Sequence, residues 1–115
     1  MPFLDWLRRT LQTRSWTREQ AILWARRYFP HHERVAVAVA EILVAQLGVG
    51  FDSLRPATRF IEDLGMDDLE PTAVVMALEE EFKIAIPDAD CERLTTVEDL
   101  MRYLNERVHA APPPL

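Results

Sequence analysis

The spacing of apolar positions along the chain predicts α-helices, because apolar residues recur every three or four positions over several stretches. Three of these stretches lie at about residues 32–47, 69–83 and 95–109. Their inward-facing positions are Val35, Val39, Ile42 and Leu43 in the first, Val75, Leu78 and Phe82 in the second, and Val97, Met101, Leu104 and Val108 in the third. A further one or two helical turns are expected after Pro87. The sequence therefore predicts an all-α fold, a four-helix bundle.

Two shorter amphipathic stretches precede this bundle. The first covers residues 3–13, and the second ends at Pro30, whose ring cannot continue a helix. We therefore predict a basic, helical N-terminal extension at residues 1–30 and the bundle at residues 31–109. Residues 110–115, which end in three prolines and a leucine, are predicted to be a disordered tail.

The segment at residues 49–67 has neither the period of a helix nor that of a strand. A loop of this length inside a small domain usually carries function or is held by its own apolar residues. The predicted anchors of this loop are Phe51, Leu54, Phe60, Ile61 and Leu64.

Capping residues stand before two of the predicted helices. Thr95 and Glu98 have the spacing of a capping box, in which each side chain bonds the backbone N–H of the other residue. Asp68 precedes the helix at 69–83, where a carboxylate can accept hydrogen bonds from the first turn and complement the helix dipole. We therefore predict that Asp68 caps this helix, with Pro71 in its first turn.

Length, composition and charge exclude several classes of protein. A chain of 115 residues, 49% of them hydrophobic, suffices for one domain with its own core. A single cysteine excludes an internal disulfide framework, and no apolar run reaches the length of a membrane span, so we expect a cytoplasmic location. Residues 1–32 carry a net charge of +4 and the remaining residues −10. The acidic part argues against nucleic-acid binding and suggests partners with a basic patch.

The sequence contains no convincing catalytic or metal-binding constellation. No nucleophile stands with a base, and no pair of residues is spaced as an acid and a base. His31 and His32 are adjacent rather than at metal-ligand spacing, and the acids around Asp67 lack the alternation of a calcium loop. We therefore predict neither an enzyme nor a metal site.

Several short sequence motifs occur in a characteristic order over roughly residues 33–105: ERV, QLGV, FIEDLGMDDLE, VVMALEEEF, IPD and TTVEDLMRYL. Together they resemble the acyl carrier proteins of fatty-acid and polyketide synthesis. The resemblance implies a small helical carrier that is recognised by synthase-type enzymes. In that family a serine in a Gly-x-Asp-Ser-Leu motif carries 4′-phosphopantetheine through a phosphodiester.

The position of that serine is occupied by Asp68 in the stretch Gly65-Met66-Asp67-Asp68-Leu69. A carboxylate has no hydroxyl with which to form the phosphodiester, and it repels an incoming phosphate. We therefore expect that the chain carries no cofactor and acts as an interaction module. The alternative is a true carrier that is modified at an atypical hydroxyl, of which Thr72 and Ser53 are the nearest in sequence.

The resemblance also implies a partner-binding face on the helix that follows residue 68. The residues expected to contact a partner are Asp67, Leu69, Glu70, Met76, Glu79 and Glu80. The same positions are compatible with an ordinary solvated helix face. For residues 1–30, three roles are open, namely packing on the bundle, self-association, or contact with an anionic membrane through Trp6, Trp16 and Trp24. The many aromatic residues of this segment favour the first two.

Overall fold

The computed structural model describes residues 15–67 and 72–110, with side chains at 18–67 and 72–108. Within these residues the chain forms five α-helices: α1 at Ser15–Tyr28, α2 at Glu33–Leu47, α3 at Ala73–Phe82, α4 at Asp88–Cys91 and α5 at Val97–Ala110. Single 3-10 turns lie at Pro30–His32 and Phe51–Ser53. An all-α fold is therefore confirmed. The helix predicted at residues 3–13, residues 68–71, and residues 111–115 lie outside the described residues. The tail was predicted to begin at Ala110, which is instead the last residue of α5.

One core joins α1, α2, α3 and α5 with the loop between α2 and α3. Its largest fully buried side chains are Ile42, Leu43, Leu54, Phe60, Leu78, Leu100, Met101 and Leu104. The inward positions predicted for α2 are all buried, whereas Phe82 and Val108, which lie near the ends of their helices, are half-buried. The three-to-four-residue spacing therefore identified the core side of each helix in the bundle.

Helix α1 packs against α2 and contributes to the same core. Ala21 and Ala25 are fully buried, and Trp24 is only 5% exposed. The Trp24 indole lies against the rings of Tyr28 and Phe29 and donates its N–H to the carbonyl of Leu54 in the α2–α3 loop. Packing of α1 on the bundle, one of the roles considered for the extension, is therefore observed for residues 15–28. Trp24 is not available to a membrane surface in this structure.

A salt bridge fastens α1 to α2. The guanidinium of Arg18 lies 2.8 Å from the carboxylate of Glu41, which is buried although it is charged. Burial raises the pKa of Glu41, and Glu81 of α3 raises it further, whereas the charge and hydrogen bond of Arg18 lower it; the net result is a raised pKa. A buried carboxylate needs a counter-charge, and Arg18 of α1 supplies it for Glu41 of α2.

The helix ends differ from the sequence predictions in two places. Helix α3 begins at Ala73, and its cap is Thr72, whose hydroxyl accepts the N–H of Val75 at 3.3 Å. The prediction that Asp68 caps this helix is therefore wrong. At α5 the capping box is Thr96 with Asp99, one residue later than predicted, since each side chain accepts the backbone N–H of the other residue. Asp99 has one methylene fewer than the glutamate usual in a capping box and still reaches the N–H of Thr96.

Two left-handed residues end α2 and α3. Gly48 follows α2 at φ 67°, and its N–H donates to the carbonyl of Val44. Lys83 ends α3 at φ 56° and is the one residue other than glycine with a positive φ in the part of the chain that the structure describes. A side chain is strained in this conformation, because its Cβ approaches the following carbonyl oxygen. In these same residues no helix has both the length and the apolar character needed to cross a membrane.

Replacing Arg18 with alanine removes the counter-charge of Glu41. We expect Arg18→Ala to lower the free energy of unfolding at neutral pH by about 1–2 kcal/mol, less than for a fully buried pair because Arg18 is largely exposed. The folded chain binds the Glu41 proton more tightly than the unfolded chain, since the pKa is raised. The loss is therefore expected to shrink as the pH falls through that raised pKa and Glu41 becomes neutral.

Urea denaturation at several pH values measures this dependence. In a Glu41→Gln background, Arg18→Ala is expected to cost little at any pH, because a neutral amide needs no counter-charge. A loss that stayed the same at all pH values would contradict the pairing of Arg18 with Glu41.

Replacing Lys83 with glycine relieves the left-handed strain at the end of α3. We expect Lys83→Gly to raise the free energy of unfolding by about 0.5–1 kcal/mol, after allowance for the greater freedom of glycine in the unfolded chain. Lys83→Ala removes the charge but keeps the Cβ, and it should give no such gain. Equal stabilisation by the two variants would show that charge rather than backbone strain is responsible.

Candidate functional site

Two described segments flank the position of Asp68, namely the turn at residues 59–67 and helix α3. The turn is closed by backbone hydrogen bonds: the N–H groups of Asp63 and Leu64 donate to Arg59, that of Gly65 to Ile61, and that of Met66 to Phe60. Gly65 has φ 73°, a conformation that glycine adopts readily. This geometry fixes the backbone up to Asp67, the residue before the attachment-equivalent position.

The turn has one buried apolar side chain and one exposed one. Phe60 is buried in the core at 1% exposure, as predicted. The next residue, Ile61, is 51% exposed, so the prediction that it anchors the loop is wrong. The reason is that adjacent side chains of the turn point to different sides, and Phe60 takes the inward position. Periodicity gave no basis for choosing between them, since the segment has no regular period.

Hydrogen bonds hold the rest of the loop to α1 and to the segment that begins α5. Thr58 is nearly buried, and its hydroxyl accepts the N–H of Arg55 at 2.9 Å and donates to the carbonyl of Ser53 at 3.0 Å. Its own carbonyl accepts the N–H of Val97 at the start of α5, and the N–H of Phe60 donates to Thr95. Together with the Trp24 bond to Leu54, these contacts leave the loop little freedom to move away from the bundle.

The structure places four of the six predicted partner-binding residues. Asp67 is exposed at the end of the turn, and Met76, at 63% exposure, projects from the outward side of α3. Glu79 and Glu80 follow Met76 on α3 and are half-buried. Leu69 and Glu70 lie outside the described residues.

Glu79 has an internal contact that the sequence did not reveal. Its Oε2 atom accepts the backbone N–H of Ile86 at 2.8 Å, while its carbonyl accepts the N–H groups of Lys83 and Ile84. The side chain therefore fastens the segment after α3 to the helix. A loss of partner binding on replacement of Glu79 would have to be separated from a loss of this support.

The surface around Asp68 is acidic. Residues 59–67 carry a net charge of −2, and α3 carries three glutamates in succession, Glu79 to Glu81. Arg59 is the basic group of the turn and pairs with Glu62 at 3.4 Å and with Asp63 at 3.2 Å. The hydrogen bonds from the side chain and the backbone of Arg59 lower the pKa of Asp63. Asp63 is therefore a carboxylate at neutral pH, and the turn keeps its net charge of −2.

The residues around position 68 do not fit a phosphopantetheine attachment site. Position 68 itself has a carboxylate and no hydroxyl. Between residues 62 and 85, Thr72 has the only hydroxyl, and its oxygen accepts the N–H of Val75 as the cap of α3. Ser53 lies in the 3-10 turn after α2, on the other side of the anchored loop. Neither hydroxyl occupies the motif position between Asp67 and Leu69.

Three other reactive groups, Cys91, Asp90 and Tyr103, have structural partners. The Cys91 thiol is buried and lies 3.9 Å from the carbonyl of Ile86. Asp90 receives hydrogen bonds from Tyr103, Arg93 and Arg107 at 2.7–2.9 Å, which joins α4 to α5. Burial and the hydrogen bond to Asp90 raise the pKa of Tyr103 to about 12. The described residues contain no group of three or more side chains suited to holding a metal ion.

Comparison with known proteins gives the same family as the short sequence motifs. The model of the family described as "Phosphopantetheine attachment site" matches residues 37–104, which include the loop, α3, α4 and most of α5. The chain is also 48% identical over 69 residues to an acyl carrier protein of Bdellovibrio bacteriovorus. That alignment covers 60% of this chain and 88% of the relative. On this match and its helical fold, the chain belongs to the acyl carrier protein family.

Proposed function

We propose that this chain is an atypical acyl carrier protein that is not loaded with 4′-phosphopantetheine. In this proposal it is a cytoplasmic interaction module of fatty-acid or polyketide-type metabolism and has no catalytic activity of its own. The observation that carries the proposal is Asp68, which stands in the motif position where loading requires an alcohol. The acidic turn and helix around it supply the recognition surface and not the attachment chemistry.

A partner would be recognised through the surface that remains. Asp67 and Met76 are exposed on either side of residues 68–71, and Glu80 lies one turn beyond Met76 on α3. An exposed apolar side chain among acids suits a protein that offers an apolar depression bordered by arginine or lysine. The partner in this proposal is a synthase-type enzyme, for which the chain would act as a scaffold, decoy or regulator.

A second function is supported by the family itself. The family model and the curated relative are both associated with loading or carrying, so a true carrier modified at another hydroxyl is the competing proposal. Thr72 is the nearest described candidate. Its oxygen accepts a backbone N–H at the start of α3, and it lies four positions after position 68, where the family motif has its serine. This arrangement favours the unloaded protein.

Intact mass after co-expression with a broad-specificity phosphopantetheinyl transferase tests the two proposals. We expect the unmodified mass for the full chain, because position 68 offers no hydroxyl. An ordinary acyl carrier protein that is expressed in the same cells serves as the positive control for the transferase. A mass increase of one phosphopantetheine group, lost again in Thr72→Val, would establish the competing proposal and overturn ours.

Restoring the alcohol tests whether the recognition surface has survived. We expect Asp68→Ser to gain the mass of one phosphopantetheine group under the same conditions, since a hydroxyl then occupies the motif position. Asp68→Ala removes the charge without supplying an alcohol and is expected to remain unmodified. Failure of Asp68→Ser in a folded chain would show that the surface has diverged from what the transferase recognises.

A further inference from the structure

The described residues include three large apolar side chains that are more than half exposed: Leu23, Ile61 and Met76. Met76 belongs to the partner-binding face already proposed. Leu23 lies on α1, which is not one of the segments that flank residue 68. Ile61 lies in the closed turn at residues 59–67 and was not predicted as a contact residue. Its exposure has no explanation in the packing of the core.

The exposure of Ile61 is fixed by the turn and does not result from a loose loop. The carbonyl of Ile61 accepts the N–H of Gly65 at 3.1 Å, and the bond between Phe60 and Met66 closes the same turn. Phe60, beside it, is buried in the core. The backbone therefore holds the Ile61 side chain outward. Its hydrogen-bond partner Gly65 lies three positions before Asp68 in the sequence.

Acidic groups border Ile61. Glu62 and Asp63 follow it directly, and Asp67 ends the turn; all three are exposed. Arg59 pairs with Glu62 and Asp63, and the turn keeps a net charge of −2. Ile61 is therefore an exposed apolar side chain with acidic neighbours. Met76 on α3 is likewise exposed, and the glutamates of that helix follow it in sequence.

We propose that Ile61 is a second apolar contact of the partner-binding face, which therefore spans the turn as well as α3. This inference rests on the proposed function. The occupant is a protein whose surface has apolar depressions for Ile61 and Met76, bordered by arginine or lysine side chains that face the acids of the turn and of α3. Charge complementarity selects this partner, because both segments are acidic. Two apolar contacts on separate elements give the partner a defined orientation.

Binding of the full chain to a purified β-ketoacyl synthase of fatty-acid synthesis tests this inference. The dissociation constant is measured for the wild-type chain and for Ile61→Ser, Met76→Ser and Leu23→Ser. Truncation of an apolar contact near the centre of an interface is expected to weaken binding about tenfold. We therefore expect about that loss for Ile61→Ser and Met76→Ser, partial recovery for Ile61→Val, and less than about a twofold change for Leu23→Ser, whose side chain is similarly exposed at 60%.

The outcomes separate this inference from the function on which it rests. A wild-type chain that does not bind the synthase overturns both proposals. Binding that is weakened by Met76→Ser but not by Ile61→Ser keeps the face on α3 and overturns the role of Ile61. Equal weakening by Leu23→Ser would move the contact to α1 and also overturn it.

A wild-type dimer that Ile61→Ser converts to a monomer would assign Ile61 to a contact between copies and would contradict the proposal. Circular dichroism and urea denaturation of each variant confirm that the compared chains are folded.

Discussion

The packing of this protein depends on covering α2 on more than one side. The helix has apolar residues at most of its positions, and those from Val35 to Leu43 are largely buried, including the charged Glu41. Helices α3 and α5 cover one side, and α1 covers another with Trp24 and two buried alanines. Because an apolar surface of that extent is unfavourable in water, α1 is a structural part of the bundle. A chain from which residues 1–30 had been removed would expose this surface, and any loss of partner binding would then be ambiguous.

The same packing also positions the candidate partner-binding region. Trp24 bonds the loop at Leu54, and the start of α5 bonds it at Thr58 and Phe60. The turn that leads to Asp68 is thus held between the first and last helices of the described chain. A partner would meet a preformed surface, so that little conformational freedom would be lost on binding. The face proposed for partners is the outer surface of this anchored region and of α3.

In the proposed function, attachment chemistry and partner recognition are separable. The motif that the sequence resembles has an alcohol at the attachment position, and this chain has the carboxylate of Asp68 there. The exposed Met76 and the acids of α3 do not depend on that alcohol. The internal bond from Ile86 to Glu79 also shows that an acid on this face can support the fold as well as offer charge. For this reason the effect of a replacement there has to be measured on stability and on binding together.

The sequence alone determined the helical class, the inward side of the three longer bundle helices, the family resemblance and the carboxylate at position 68. Each of these follows from local spacing or from the chemistry of one residue. Only the tertiary structure showed that Trp24 and Arg18 bind α1 to the bundle, that Thr72 and Thr96 are the helix caps, and that Ile61 points outward while Phe60 points inward. The attachment of α1 depends on contacts between residues distant in sequence, whereas the caps and the direction of Ile61 depend on the exact backbone geometry of irregular segments. Periodicity contains no information about either.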